Sequence, residues 1–514
     1  MCKSRFESSV HYECRGAWLF AALILSLSLC PMKVRGQEVQ VYVSSAAGDR
    51  IAAKAPVAFR SKVQAGPAHE ATFHVDESIN YQKILGFGAS FLEAGMICLN
   101  SLDSGQQESV LRTIFDPESG AGFSAMKTVI ASTDFMSAGP WYTYDDTPGD
   151  EDLKHFSIQR DIGPNGLITY IKRARKYGSF ILQAPMDYPP DWMLYDVNTN
   201  QDVNPKYYGA LARYYLRYLD EYQKQGIFID YLSLFNEPGG YTKIPYWQIR
   251  DLIKNYVGPL LKREGVKTRI QLSEAPFRGN GNGSGLEAFW DYPMVLDDPE
   301  ARKYVAALPY HGYDFTRLNA PPTRENGYDF REFKKLGELH NRYPDLPLWM
   351  TEVCFFLGGT PWVKPMPRDN YEDSDFWLNQ IASDLEAGSS GWTYWNLILD
   401  QHGGPWLISP IHQDPDNNVQ QPVVIIDRDT HKISYTGVYY AIAHFSKFVR
   451  PGSIRIGSDG SADGIRCLAF IRPDGRRVTE LINSRKSDSS IQIEWQGRVL
   501  ELSLPPISVS TLLW

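Results

Sequence analysis

Eight short apolar runs alternate with longer amphipathic stretches between about residue 84 and residue 449, and this alternation limits the possible folds more than any other feature. Each run has the length of a buried strand, and the intervening stretches carry apolar residues at the three- and four-residue steps of a helix. Repeated strand–helix units predict a parallel sheet, and eight units predict an α/β fold, the (β/α)8 TIM barrel. The predicted strands are KILGFGAS, FSAMKTVIAS, SFILQAPM, FIDYLSLFNE, TRIQLSEAP, VAALPYHGY, LPLWMTEV and SGWTYWNLIL.

The segments on either side of this alternation have a different pattern. After the predicted last barrel helix, residues 450–514 contain short runs of alternating polarity separated by turn residues, which is typical of antiparallel strands. Residues 37–81 contain the strand-like pieces VQVYVSS and ATFHVD. We therefore predict a barrel over residues 82–449 and an accessory antiparallel β-sandwich over 450–514, joined by N-terminal strands from 37–81.

Residues 1–36 have the pattern of a secretory signal peptide. Arg15 precedes the apolar stretch GAWLFAALILSLSLC, which is shorter than the roughly 20 apolar residues of a membrane span, and small residues follow before Gln37. We expect export to a secreted, periplasmic or lysosomal-type compartment, and a mature chain without a stable membrane span that begins near Gln37. An uncleaved anchor and a lipoprotein signal ending at Cys30 are the alternatives.

Composition excludes several classes of function. A net charge of -8 argues against a nucleic-acid partner. Outside the predicted signal peptide the cysteines are Cys98, Cys354 and Cys467, which are too few and too far apart for a disulfide framework or a cysteine metal site. We predict no metal and no other cofactor. Asn282 begins a glycosylation sequon, which is used only if the source cell glycosylates.

Two glutamates end predicted strands of the barrel. Glu237 follows the fourth apolar run and Glu352 follows the seventh, and the carboxyl ends of barrel strands meet at one face. Two facing carboxylates are what glycoside hydrolysis requires, because one protonates the departing oxygen and the other attacks or activates water. Asn236 is placed to contact a sugar 2-hydroxyl. A glutamate after a strand can also be a structural residue, but the position of both on units four and seven favours catalysis.

Longer motifs in the same region resemble glycoside hydrolase family 30, and within it the glucosylceramidase branch. The resemblance runs from about Tyr81 to Ser453. It is carried by ASTDF, YTYDDTPGDEDLKHFSI, FNEP, WMTEVC, GWTYWNLILDQHGGP and HFSKFVRPGS.

The resemblance implies a retaining β-glycosidase with Glu237 as general acid/base and Glu352 as nucleophile, on a barrel joined to a β-sandwich. It also implies sugar contacts and neighbours of the nucleophile at five further positions. These are Asp134, Asn236, His311, Tyr313 and Trp395.

The chain departs from the family pattern around the predicted sugar pocket. Lys127 replaces an arginine ahead of the ASTDF motif, which keeps the charge but loses the bidentate fork. Met186 stands where a sugar-facing tryptophan is usual, and Phe91, Leu92 and Glu93 replace smaller or different residues. These changes preserve the expected reaction and leave the sugar and the aglycone open.

The sequence thus predicts an exported enzyme that hydrolyses β-glucosides, with a carbohydrate or glycolipid as its partner. Glucosylceramide-like glycolipids are the expected substrates, and no activator protein can be named. Hydrolysis of β-linked oligo- or polysaccharides, such as a β-1,6-glucan or a β-xyloside, is the alternative within the same chemistry. A catalytically silent sugar-binding barrel is a second alternative, and a metal-dependent barrel hydrolase is a third that lacks a matching ligand cluster.

Overall fold

Eight parallel strands form a ring in the computed structural model of the protein. The structure describes residues 37–62, 69–137, 142–197, 200–239, 242–276, 287–313, 330–356, 366–406, 419–460 and 462–514. The predicted signal peptide at residues 1–36 and the sequon at Asn282 lie outside these residues. The barrel strands are β1 Gly86–Ala89, β2 Ala125–Lys127, β3 Ile181–Ala184, β4 Tyr231–Ser233, β5 Arg269–Gln271, β6 Val305–His311, β7 Leu348–Glu352 and β8 Ser389–Tyr394.

Neighbouring strands of the ring pair in parallel from β2 through β3 to β8 and on to β1. A parallel bridge between Ser90 and Lys127 joins β1 to β2. Gly88 permits this close approach, since a Cβ atom there would lie 2.2 Å from the Ala125 carbonyl oxygen. The sequence-based prediction of a (β/α)8 barrel is confirmed.

Helices connect successive strands and cover the outside of the ring, so the strands are buried on both faces. The longest, Tyr208–Lys224, lies between β3 and β4 and turns its tyrosines and leucines inward. It ends just before Gly226, whose φ of +77° suits a helix stop. The other helices are Glu93–Asn100, Ser104–Phe115, Gln159–Ile162, Leu167–Ala174, Tyr246–Leu252, the π-helical turn Ile253–Val257, Gly258–Arg263, Glu287–Leu296, Pro299–Arg302, Phe330–Arg342, Asp373–Glu386 and Gly437–Phe448.

A ten-stranded sheet forms the second part of the structure and uses both ends of the chain. Its core includes Phe59, Trp495 and Trp514, whose ring centroids lie 5.2 to 5.7 Å apart. The strands in spatial order are Ala52–Ala58, Glu38–Ser45, Ser508–Leu513, Arg477–Asn483, Ile465–Ile471, Ile454–Asp459, Ala71–Lys83, Ser489–Trp495, Arg498–Leu504 and Arg60–Ser61.

One pair in this sheet is parallel, which differs from the expected all-antiparallel pattern. Ala71–Lys83 runs parallel to Ser489–Trp495 and antiparallel to Ile454–Asp459. The reason is that Ala71–Lys83 enters the sheet from before the barrel, so no hairpin fixes its direction relative to Ser489–Trp495. None of the helices in the described ranges is long and apolar enough to cross a membrane.

His444 joins the last barrel helix to the ten-stranded sheet. The fully buried imidazole makes hydrogen bonds of 2.7 Å to the Thr511 hydroxyl and 2.8 Å to the Ser44 hydroxyl. Burial lowers the pKa of His444 from 6.5 to about 3. Glu480 lies 4.0 Å away, but burial raises its pKa and so disfavours the carboxylate form that would stabilise an imidazolium.

We expect this junction to weaken in acid. Below pH 6.5 the unfolded chain protonates His444 and the folded chain does not, so stability falls as the pH falls, by about 2 kcal/mol at pH 5. His444→Gln should flatten the fall in the free energy of unfolding between pH 7 and pH 5, measured by urea titration. His155→Gln, at an exposed site, is the control, and an equal slope in all three proteins would contradict the prediction.

Candidate active site

The two predicted catalytic glutamates meet at the carboxyl ends of the barrel strands. Glu352 is the last residue of β7, and Glu237 lies four residues beyond the end of β4. One carboxylate oxygen of Glu237, one of Glu352 and a ring nitrogen of His311 all lie within 4.8 Å of one another. The structure therefore brings together three of the residues that the sequence analysis singled out.

The backbone at Glu237 has a conformation that few residues other than glycine adopt. Its φ is +41°, and the cost of such a conformation is on the order of 1 kcal/mol or more. Hydrogen bonds hold it there: the amide of Glu237 donates to the Glu274 carbonyl at 2.8 Å, and the amide of Asn236 donates to the Met186 carbonyl at 2.8 Å. These bonds continue the barrel pairing beyond the ends of β3, β4 and β5 and fix where the Glu237 side chain begins.

Lys127 is the central cation of the site. Its ammonium nitrogen lies 2.7 Å from a carboxylate oxygen of Glu352, 2.7 Å from one of Glu274 and 3.2 Å from the side-chain oxygen of Asn236. Burial alone would lower the pKa of Lys127, but the two carboxylates outweigh this effect and raise it. The side chain is therefore a fixed positive charge in the barrel mouth.

His311 is a second buried cation. One ring nitrogen lies 2.8 Å from a carboxylate oxygen of Glu237, and the other lies 3.0 Å from an oxygen of Glu274. Burial would lower the pKa of His311, but the surrounding carboxylates, Glu352 first among them, raise it to about 9. The imidazolium thus donates to both partners at neutral pH, and it has no lone pair to offer a metal ion.

Glu352 is held as a carboxylate. The Tyr313 hydroxyl donates to it at 3.0 Å, on the oxygen that Lys127 does not contact. Burial would raise the pKa of Glu352, but Lys127 and His311 lower it more strongly, so its pKa lies below the usual range. An ionised, oriented carboxylate of this kind can act as a nucleophile.

A second pair of carboxyl groups lies on the same side of the barrel. The amide of Asp134 lies 3.4 Å from a carboxylate oxygen of Asp187, which follows β3. Burial, together with the charge of Asp134, raises the pKa of Asp187 well above its usual range. Trp395, just beyond β8, is buried, and its ring centroid lies 5.3 Å from the Lys127 ammonium.

Two residues of the site were not identified from the sequence. Glu274 is fully buried and accepts hydrogen bonds from Lys127, His311 and Gln271. Asp187 follows Met186, which stands where a sugar-facing tryptophan is usual in the family. Asp187 directly follows the predicted strand SFILQAPM, and Glu274 lies near the end of the predicted strand TRIQLSEAP, so the rule that identified Glu237 and Glu352 also applies to these two residues.

The family domains that match the chain cover most of its length. The domain described as "Glycosyl hydrolase family 30 TIM-barrel domain" matches residues 84–449, and the "Glycosyl hydrolase family 30 beta sandwich domain" matches residues 452–512.

Relatives and solved structures share this architecture. The chain is 28% identical to the lysosomal acid glucosylceramidase of Mus musculus in an alignment of 458 residues that covers 84% of this chain and 81% of the mouse protein. It is 27% identical to an endo-1,6-beta-D-glucanase of Neurospora crassa, across 93% of this chain and 97% of that protein. The crystal structure of SrfJ from Salmonella typhimurium superposes with a TM-score of 0.77 at 22% identity, covering 93% of this chain and 99% of the other, and shows the common fold. The protein belongs to glycoside hydrolase family 30 and is a glycosidase.

Proposed function

We propose that this glycosidase is a retaining enzyme in which Glu352 is the nucleophile and Glu237 is the general acid/base. The observation that carries the proposal is the separation of at most 4.8 Å between carboxylate oxygens of the two residues. Retaining glycosidases place their carboxyl groups about 5 Å apart, whereas inverting enzymes need about 6.5 to 9.5 Å to admit a water molecule.

The surroundings of the two glutamates support different roles. Glu352 faces Lys127 at 2.7 Å and His311 at 3.8 Å, which keep it ionised and poorly suited to give up a proton. The side-chain carboxylate of Glu237 lies 2.8 Å from a ring nitrogen of His311. His311 fixes one oxygen of Glu237 and leaves the other for the glycosidic oxygen, as an acid/base residue requires.

The reaction then has two displacements. The Glu352 carboxylate attacks the anomeric carbon while Glu237 gives its proton to the departing oxygen, so the glycosidic bond breaks and a glycosyl ester forms. In the second step Glu237, now a carboxylate, takes a proton from water. The water oxygen attacks the anomeric carbon, the ester bond breaks, and Glu352 leaves as the carboxylate.

Neighbouring residues supply sugar contacts in this proposal. Asn236 accepts from Lys127 through its side-chain oxygen, which leaves its amide N–H groups for the sugar 2-hydroxyl. Asp134 and Asp187 hold other hydroxyls, and Trp395 lines the sugar site. Burial and the charge of Asp134 raise the pKa of Asp187, which favours the protonated form that can both donate and accept a hydrogen bond.

We propose glucosylceramide-like glycolipids as the substrate class. The longer motifs and the similarity to the mouse glucosylceramidase support this choice. The similarity to a fungal β-1,6-glucanase over nearly the whole of both chains supports a second candidate, a β-1,6-glucan. Export from the cell is also part of the proposal, and it is supported by the signal-peptide pattern of residues 1–36.

Substitutions of Glu352 and Glu237 should have different effects on the two displacement steps. Glu352→Gln should abolish release of the dye from an aryl β-glucoside, and a 2-fluoro-glucoside should label Glu352 in the wild type. Glu237→Gln should lower kcat/KM, which reports the first step, by about 10²- to 10⁴-fold on substrates with poor leaving groups, but much less on dinitrophenyl glycosides, because these leaving groups need no protonation. Label on another residue would contradict the assignment, and a wild type without turnover would indicate a sugar-binding barrel. Full activity in a chelator would exclude a metal-dependent reaction.

Removing the Lys127 charge should shift the pH dependence of the enzyme. Lys127→Met leaves the buried Glu352 without its nearest cation, so its pKa rises and the acidic limb of kcat/KM moves to higher pH. We also expect a loss of about 3 to 5 kcal/mol in unfolding free energy at pH 7, measured by urea titration. Lys127→Arg retains the charge and is the matched control. An unchanged acidic limb in Lys127→Met would show that Lys127 does not control Glu352.

A substrate panel separates the two candidate classes. We expect kcat/KM for glucosylceramide in detergent micelles to exceed that for β-1,6-linked gluco-oligosaccharides. Initial rates of glucose release, compared between the wild type and Glu352→Gln, give the measurement. The reverse order would reject the glycolipid proposal and favour the glucanase, while retention at the anomeric centre is expected with both.

A further inference from the structure

A cavity of about 880 Å³ lies at the opposite end of the barrel from Glu237 and Glu352. On the barrel side its walls include Tyr231 and Arg269, the first residues of β4 and β5. On the other side they come from the end of strand Ala71–Lys83 and from Arg455, both in the ten-stranded sheet. Six residues separate Tyr231 from Glu237, which is about 20 Å of extended chain. This cavity is therefore separate from the candidate active site.

Arg455 is a buried arginine held with its guanidinium in a fixed plane. The residue is 8% exposed, and its Nε donates to the side-chain oxygen of Gln82 at 3.1 Å. Gln82 is fixed in turn, because its amide donates to the carbonyls of Leu385 at 2.6 Å and Ser389 at 2.8 Å. The guanidinium carbon stands 3.7 Å from the ring centroid of Tyr81. These contacts use the Nε edge and one face of the group.

Within the part of the chain that the structure describes, no carboxylate pairs with Arg455. The two acidic residues in the cavity wall are already engaged, since Glu386 pairs with Arg466 at 2.5 Å and Asp345 pairs with Arg302 at 2.5 Å. The two Nη groups of Arg455 make no hydrogen bond to any described group. This edge of the guanidinium is therefore available to a planar anion with two oxygens.

Other groups in the wall add to the positive character of the cavity. Arg269 lies with its guanidinium carbon 3.9 Å from the ring centroid of Tyr231, and Lys83 is a third cation. His340 also lines the cavity, and its Nδ1 is buried without a hydrogen-bond partner among the described residues. Burial and the charge of Arg455 lower the pKa of His340, which favours the neutral imidazole.

We propose that this cavity is a binding site for a small molecule that carries an oxyanion, either a carboxylate or a phosphate group. The two free Nη groups of Arg455 form a planar fork that matches two oxygens of such a group. Arg269 and Lys83 add positive potential, and His340 offers a ring N–H or lone pair to a neighbouring polar group of the ligand. The volume leaves room for a molecule well beyond the anionic group itself.

Anion binding to the purified full chain tests the proposal. Inorganic phosphate and citrate are titrated separately by calorimetry, with sodium chloride keeping the ionic strength constant. We expect saturable binding of at least one of the two anions to the wild type. Arg455→Gln should weaken it by about tenfold or more, the loss expected for hydrogen bonds to a charged group. Arg476→Gln is the matched control, because Arg476 belongs to the same part of the chain but pairs with Asp474 outside the cavity.

The pattern of the two titrations identifies the group that the cavity prefers. If Arg455→Gln weakens the binding of phosphate alone or of citrate alone, the site is supported and its ligand class is identified. No saturable binding to the wild type, or equal binding to Arg455→Gln, overturns the proposal. A crystal soaked in selenate gives a result that does not depend on the folding of a variant: anomalous density beside Arg455 supports the site, and its absence at saturating selenate overturns it.

Discussion

The arrangement at the barrel mouth depends on the pairing of buried charges. Lys127 and His311 are cations without access to water, and each contacts Glu274 as well as one of the two candidate catalytic glutamates. Charges in such a place are tolerated only where partners of opposite sign lie at hydrogen-bond distance. Glu274 is the shared partner, so it fixes the positions of both cations and, through them, of Glu237 and Glu352. The chemistry and the local structure rest on the same contacts.

The barrel makes this cluster possible by joining residues that are remote in the sequence. Lys127 contacts Glu274 across 147 positions and Glu352 across 225. Each residue occupies the end of a different strand, and closure of the ring brings those ends together. Hydrogen bonds beyond the strand ends then set the finer geometry, as the left-handed backbone at Glu237 shows. The fold provides proximity, and the buried polar contacts provide orientation.

The fold and part of the candidate site could be predicted from the sequence. The eight strands and the positions of Glu237 and Glu352 follow from periodicity and from the rule that barrel strands present their carboxyl ends at one face. Lys127 was noticed as a departure near the sugar pocket, and the structure places it against Glu352. Glu274 was missed because periodicity shows where a strand ends but not which of the side chains there turns toward the barrel axis.

The same limit explains the other differences between pattern and structure. Which of Met186 and Asp187 faces the site depends on the register of β3, and the sequence of a short strand does not determine its register. The parallel pairing of Ala71–Lys83 depends on how segments before and after the barrel come together, which no local sequence pattern specifies. The electrostatic state of Glu352 also depends on distant partners, since Lys127 and His311 come from other strands. Local sequence patterns predict the helices and strands, whereas long-range contacts determine the pKa shifts of the site residues.

The ten-stranded sheet has a consequence for how the chain matures. Its strand Ala71–Lys83 is made before the barrel, yet it pairs with Ile454–Asp459 and Ser489–Trp495, which are made after the barrel. Such distant pairing slows folding and leaves strand edges exposed in the meantime. During synthesis Ala71–Lys83 must wait without these two partners while the whole barrel is translated. The nascent protein is therefore most exposed to aggregation, and most dependent on chaperones, in the interval before Ile454–Asp459 and Ser489–Trp495 emerge.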